Sequence, residues 1–484
     1  MVAPHRLPCE TPEAYKPSDL AAHTTRWVLP ATILGSSMTF IDGSVVNVAL
    51  PVMQRSLTTS FGTLQWVVNG YMLTLASLIL FGGSAGDRFG RRRIFVIGLG
   101  TFALASLVCG LAPSAPWLVA ARLVQGVGAA LLTPTSLAIV GSAFSGEARG
   151  AALGTWAAAG ALTTALGPPL GGWLVDTIGW RAIFFINLPI AAAALLFALK
   201  LPADRGIDRS EPLDRGGAVL AALSLGLLSY GLIALGEGAR LGGAVALICA
   251  VPAIWIFIRH EARTRSPMMP PSLFRDRNFS GANALTVLLY AALSGALFLL
   301  PFMLIEVHGY TATAAGAAFL PFSAIVGLGS RWSGGLVNRF GARLPLVVGP
   351  TVTAAGFAIL ASSGDNPVYW SGVLPGLMVV SIGMTITIAP LTTTVFDSAP
   401  DEKSGTASGI NNAAARAGSL IAVAALGLAF GAVASPQAGG SALASAYRAA
   451  MIAAAVLAGL SALTGALTIR PRTTPNVPAL QVSK

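Results

Sequence analysis

The chain has 484 residues, of which 54% are hydrophobic and 10% charged, where an ordinary soluble protein carries about 25% charged residues. With a mean hydropathy of +0.73 and 55 glycines, this excludes a water-soluble globule and describes an all-α integral membrane protein whose helices pack through small residues. Thirty Lys and Arg against nineteen Asp and Glu leave a net charge of +11, which in such a chain reports orientation in the bilayer and not nucleic-acid binding.

Residues 1–27 are polar and proline-bearing and lack a short apolar stretch with a cleavage site, so they read as a tail and not as a secretory signal. A membrane span needs roughly 20 mostly apolar residues. Fourteen runs fit, over 28–49, 64–83, 94–112, 117–141, 151–173, 183–201, 217–235, 241–258, 279–304, 312–333, 344–362, 370–394, 405–432 and 443–467. An even number puts both ends of the chain on one side. Basic residues gather on that side, in both tails, from Arg88 to Arg93, from Lys200 to Arg215, from Arg259 to Arg277, and at Arg149, Arg339, Arg343 and Lys403. The other side has Arg55, Arg181, Arg240 and Arg448. The positive-inside rule then makes both termini and the long polar loops cytoplasmic, in a bacterial-type inner membrane.

An internal echo divides the chain. Gly83-Ser-Ala-Gly-Asp87-Arg88-Phe-Gly90-Arg91-Arg92 follows the second span, and Gly334-Gly-Leu-Val-Asn338-Arg339-Phe-Gly341-Ala-Arg343 follows the tenth. The copies stand eight spans apart, so two extra helices separate two halves of six. The expected organisation is a first bundle over 28–201, a linker with two extra spans over 202–278, a second bundle over 279–467, and a tail over 468–484.

Asp42 is the most informative residue, because a carboxylate within a span is costly and is functional by default. Arg122 is expected at the same depth. Asp42 lies seven residues before the end of its span, roughly 10 Å, and Arg122 five residues into its own, roughly 8 Å. The pair is expected to meet directly or through water, with Gln125, one turn on, continuing the polar path. Span five carries Gly167-Pro168-Pro169 and the glycines at 160, 167, 171 and 172. The prolines withhold backbone donors and predict a bend, and the glycines let another helix approach. Asn47, Gln65, Trp66, Asn69, Tyr290, Phe298, Phe319, Phe322, Asn411 and Asn412 are candidate cavity residues. Glu306 and His308 read as interfacial, and Arg416 lies either well inside span thirteen or near its boundary.

No glycine-rich phosphate loop ending in Gly-Lys is present, and the Gly-x-Gly pairs at 98–100 and 126–128 sit inside apolar spans, which argues against nucleotide and dinucleotide use. Four scattered histidines show no nucleophile-base or metal-ligand spacing, and the three cysteines, Cys9 and Cys109 among them, read as free. No cofactor, metal or enzyme activity is expected.

Several motifs in order resemble the major facilitator superfamily, and within it the fourteen-span drug:proton antiporter branch. They are Ile41-Asp42-Gly-Ser-Val-Val-Asn47-Val-Ala-Leu-Pro51, the loop from Gly83 to Arg92, Arg122-Leu-Val-Gln125-Gly126-Val-Gly128, the run from Gly154 through Gly167-Pro168-Pro169-Leu-Gly171-Gly172, and Trp180-Arg181-Ala-Ile-Phe-Phe-Ile-Asn187-Leu-Pro189. Ala85 stands where the family usually has leucine, and Asn338 replaces the aspartate of the second loop. The resemblance implies two six-helix bundles plus two additional central helices. It implies proton-coupled efflux of amphipathic or lipophilic compounds by alternating access, the alternative being an importer or uniporter of the same architecture. It also implies conformational gating by Gly83, Asp87, Arg88, Gly90, Arg91 and Arg92, and a seal against leak at Gly167, Pro168, Gly171 and Gly172. Partners are then the small-molecule substrate, protons and the bilayer, with the chain as a monomer.

Overall fold

The computed structural model describes residues 25–202, 213–363, 366–400, 403–430 and 440–470. Most of both expected tails, the greater part of the 202–216 linker and Cys9 lie outside the described residues. Among the described residues there is no strand, and each expected span coincides with a helical segment. These are α1 (Val28–Leu57), α2 (Phe61–Phe89), α3 (Arg91–Gly110), α4 (Ala115–Ala143), α5 (Gly146–Thr177), α6 (Ala182–Ala198), α7 (Arg215–Gly236), α8 (Arg240–Arg263), α9 (Arg277–Val307), α10 (Ala312–Ala317 and Leu320–Ser333), α11 (Arg343–Ser363), α12 (Leu374–Asp397), α13 (Ser404–Phe430) and α14 (Gly440–Thr468).

Eleven of these are long and apolar enough to cross a membrane on length and composition alone. The other three depart for visible reasons: α5 is diluted by glycine, threonine and two internal prolines, α6 is interrupted at Ile186, and α13 carries Asn411, Asn412 and Arg416. Several helices run a turn or two past the expected span. Polar caps set where they start: the side chains of Ser60, Asp214, Asp276 and Thr311 accept the backbone N–H of Thr63, Gly217, Phe279 and Ala314, three residues on, which satisfies donors that a helix start leaves open.

Helices α1 to α6 pack on one another, and α9 to α14 do the same. The α7–α8 pair stands outside both groups: α8 packs on α7, and α7 lies along α2 and α13 at once. The two groups meet along α2 and α13, α5 and α10, and α1 and α9.

The contact is uneven across the bilayer. At the face opposite the chain ends, here the far face, Phe61 of α2 meets Phe298 and Phe302 of α9 edge-on at 5.7 and 5.8 Å. A side chain at Gly172 of α5 would strike the Ala312 backbone of α10, and one at Gly316 of α10 would strike the Pro168 backbone of α5. The two groups are therefore closely packed at the far face. Leu162 of α5 and Leu328 and Trp332 of α10 are exposed.

Candidate functional site

Asp42 on α1 and Arg122 on α4 are fully buried and in direct contact, with Arg122 Nη1 donating to Asp42 Oδ2 at 2.5 Å. Gln125, three residues after Arg122 and on the same helix face, closes a triangle: its Oε1 accepts from Arg122 Nη1 at 2.7 Å and its Nε2 donates to Asp42 Oδ1 at 2.9 Å. Arg122 Nε donates to the Val67 carbonyl of α2 at 3.0 Å, and the guanidinium lies over the Tyr71 ring at 4.3 Å. Both charges are thus compensated and hydrogen-bonded, the condition on which a buried ion pair survives in an apolar surround.

The polar path continues beyond the triangle. Gln125 Nε2 also reaches Ser106 Oγ of α3 at 2.9 Å, Asn187 Nδ2 of α6 reaches the same hydroxyl at 3.3 Å, and Asn187 Oδ1 has no partner among the described residues. Five helices therefore converge on one carboxylate. Sequence reasoning reached Asp42, Arg122 and Gln125 by depth and periodicity. It missed Ser106, which is one serine in an apolar run, and gave Tyr71 and Asn187 no role, because only the fold brings them there.

In the loop after α2, Asp87 accepts from Nε and Nη2 of Arg91, four residues on, at 3.1 and 2.9 Å. Arg91 Nη1 reaches the Ala138 carbonyl of α4, and Arg92 reaches the carbonyls of Ala198 and Leu199 at the end of α6. These bonds all lie within the first group of helices. Gly90 has φ 97° and Gly341, its counterpart in the second copy, φ 73°, conformations that an L side chain rarely takes. Gly83 faces Pro134 of α4, and Arg88 lies near the Phe89 ring.

On α5, Gly167 and Gly171 lie against Ser44 and Val45 of α1, while Pro168 and Gly172 face α10. The element therefore sits between its own bundle and the other one. Asp176, beyond it, accepts from Ala312 N–H, Thr313 N–H and the Thr313 hydroxyl at 3.2, 2.7 and 2.6 Å. It was not among the expected site residues, lying as it does past the end of an expected span.

The candidate cavity residues separate. Gln65 Nε2 donates to the Val423 carbonyl of α13, and Gln65 Oε1 and both amide atoms of the buried Asn69 have no partner among the described residues. Phe298 stacks on Phe302 and Phe319 is packed in the core, whereas Asn47, Trp66, Tyr290 and Phe322 are partly exposed. Asn411 bonds Thr286 of α9 at 2.8 Å and Asn412 bonds the Ser408 carbonyl. Glu306 lies at the far face, 3.7 Å from Arg55 of α1. Arg416 falls twelve residues into α13, well inside the helix.

Comparison with known proteins gives a consistent picture. Residues 32–423 match the model of the Major Facilitator Superfamily. The multidrug resistance protein Stp of Mycobacterium tuberculosis (strain CDC 1551 / Oshkosh) is 39% identical over 405 residues, covering 82% of this chain and 74% of that protein. The methylenomycin A resistance protein of Bacillus subtilis (strain 168) is 37% identical over 83% of this chain and 86% of its own. The tetracenomycin C resistance and export protein of Streptomyces glaucescens is 34% identical over 83% and 75%. Among solved structures, a bacterial homologue of the human lysosomal transporter Spinster, in an inward-facing and unoccupied conformation, superposes with a TM-score of 0.64 over 92% of this chain and 97% of that one, at 18% identity. The last likeness bears on the fold alone, and the sequence matches carry the assignment: this chain belongs to the major facilitator superfamily.

Proposed function

We propose that the protein is a proton-coupled secondary exporter of drugs or other lipophilic and amphipathic small molecules, working by alternating access in a bacterial cytoplasmic membrane with both termini cytoplasmic. The observation that carries this reading is Asp42. Among the described residues it is the one acidic side chain more than a turn from a helix end, and it is wholly buried against Arg122 and Gln125. An ionisable group so placed marks an ion pathway. The relatives named for multidrug resistance and for tetracenomycin export support the direction and the substrate class.

In this reading Asp42 takes a proton from the far, external side, and Arg122 and Gln125 hold the carboxylate once the proton has left. The bundles of 28–201 and 279–467 rock about the α2–α13 and α1–α9 contacts, with 202–278 carried alongside. The closed far face then makes the described state inward-facing. Gly83, Asp87, Arg88, Gly90, Arg91 and Arg92 gate the cytoplasmic side, Gly167, Pro168, Gly171 and Gly172 seal the α5–α10 contact, and the chain works as a monomer without cofactor or catalysis.

Inverted vesicles test the reading. Addition of ethidium or a panel antibiotic to vesicles holding an imposed proton gradient releases protons when the parent is present. Asp42→Asn, inserted at the parent level, is expected to abolish that release. Release at the parent rate in Asp42→Asn overturns the role of Asp42, and substrate accumulation in the opposite direction overturns export.

A further inference from the structure

Seven residues make two helical turns, so Gly409, Arg416 and Val423 lie on one stripe of α13. Both ends of that stripe touch α2: Gly409 lies against the Leu80 side chain, and the Val423 carbonyl accepts from Gln65. Arg416 stands between them and therefore faces α2 near residues 72 and 73, since the two helices run antiparallel. Twelve residues separate it from the start of α13, about 18 Å at the helical rise, which puts it near mid-membrane. It is nonetheless partly exposed. α13 packs on α2 and on α9, with Gly418 of the same turn against the Val287 backbone of α9, so Arg416 stands where α2, α9 and α13 come together.

Arg416 makes no hydrogen bond or ion pair with any described residue. On the same stripe of α2, one turn from residue 73, is Asn69, fully buried with neither amide atom partnered among the described residues, and Gln65 Oε1 on that stripe is also without a partner among them. Buried amides ordinarily find partners. The charge balance has the same gap: Asp42 offsets Arg122 at 2.5 Å, and nothing among the described residues offsets Arg416. An isolated cation at this depth is costly and marks a ligand or ion path. A guanidinium is also the group best shaped to hold a carboxylate through two parallel bonds.

We propose that Arg416 and Asn69 form a subsite for the acidic group of a monoanionic amphipath, such as a carboxylate or enolate on an otherwise lipophilic body. Arg416 neutralises the single charge, and the Asn69 amide bonds an adjacent carbonyl or hydroxyl. The subsite belongs to the export reading and rests on it, but makes a narrower claim: the preferred substrate carries a negative charge.

The test uses the full chain in nanodiscs and three probes with one hydrophobic body: 1-pyrenebutyrate, its methyl ester, and a pyrenebutyl trimethylammonium. Binding is read as energy transfer from the native tryptophans, corrected with empty nanodiscs. The parent is expected to bind the butyrate about tenfold tighter than the ester and to bind the ammonium least, because only the anion completes the charge-assisted bonds. Arg416→Gln removes the preference and leaves the ester unchanged, Arg416→Lys keeps part of it, and Asn69→Leu weakens the butyrate. A parent that favours the ester or the ammonium overturns the proposal, as does an undiminished preference in Arg416→Gln or an Arg416→Lys that behaves like Arg416→Gln. Proton release driven only by the ammonium probe leaves export standing and removes the anion subsite. Selective butyrate binding with no transport of any probe keeps the subsite and removes export.

Discussion

Asp176, in the last turn of α5, caps the start of α10 from across the bundle interface, accepting both the backbone N–H and the hydroxyl of Thr313. A carboxylate at a helix N-terminus satisfies free donors and complements the positive end of the helix dipole. Here helix and carboxylate belong to different bundles. The bond joins the two bundles at the closed far face, so under alternating access it stabilises the closed state relative to one in which that face opens.

Asp176→Asn is therefore expected to shift the population toward a far-face-open state. Because the carboxylate is solvated, its net contribution is about 1 kcal/mol, which is roughly a fivefold change in the open-to-closed ratio. Spin labels at the exposed Ile178 and Val368 read that change as added weight at long distance. An unaltered distance distribution in Asp176→Asn means that the glycine contacts of Gly172 and Gly316 hold the face without it.

The Asp42–Arg122 pair makes a prediction about stability. Removing one partner leaves a buried charge uncompensated, so Arg122→Gln is expected to cost about 3–5 kcal/mol. Asp42→Asn costs less, because Arg122 keeps Gln125, the Val67 carbonyl and the Tyr71 ring. The double variant is then more stable than the sum of the single changes requires, which unfolding in mixed micelles measures as a coupling energy. Additive effects would mean that the pair is not formed in the membrane.

Much of this architecture is legible before any coordinates. Span number follows from apolar run length, and the meeting of Asp42 with Arg122 follows from rise per residue, because α1 and α4 are regular helices whose depth can be counted from their ends. What escapes is whatever depends on which helices become neighbours. Ser106 and Asn187 are single polar residues in apolar runs until α3 and α6 bring them beside Gln125. Asp176 looks like a loop charge until α10 starts against it. The sequence leaves Arg416 between two placements because nothing local marks where α13 begins. The unusual composition of α5 and α13 has the same origin, since helices held between two bundles give up apolar surface for close approach and polar contact.

The α7–α8 pair lends itself to a packing test. Gly236 of α7 lies against the Gly427 backbone of α13, with no room for a side chain. Gly236→Leu forces the helices apart and is expected to cost about 1–3 kcal/mol as overpacking. Gly459→Ala on α14 is the matched control: its added methyl meets nothing within 4 Å, so it is expected to stabilise by about 0.5–1 kcal/mol through helix propensity. Equal unfolding midpoints for the two variants would show that α7 is free to leave α13.

The repeated loop allows the structural role of its glycine to be separated from the proposed gating role. Gly90 and Gly341 occupy corresponding positions and share a positive φ, so an alanine at either is expected to cost about 1–2 kcal/mol of backbone strain. Their surroundings differ. Gly90 is followed at once by Arg91 and Arg92, which reach Asp87, the Ala138 carbonyl and the end of α6, whereas Asn338 stands in the second copy where the first has Asp87. Arg343 of the second copy reaches the Ala466 carbonyl much as Arg92 reaches the end of α6, but distorting the turn at Gly90 also displaces the Asp87–Arg91 ion pair, whose positions are Asn338 and Ala342 in the second copy. Gly90→Ala and Gly341→Ala should lower the unfolding midpoint alike, yet Gly90→Ala should slow proton-coupled transport severalfold more. Equal transport rates at equal stability would assign the first loop to folding alone and take the gating role away from it.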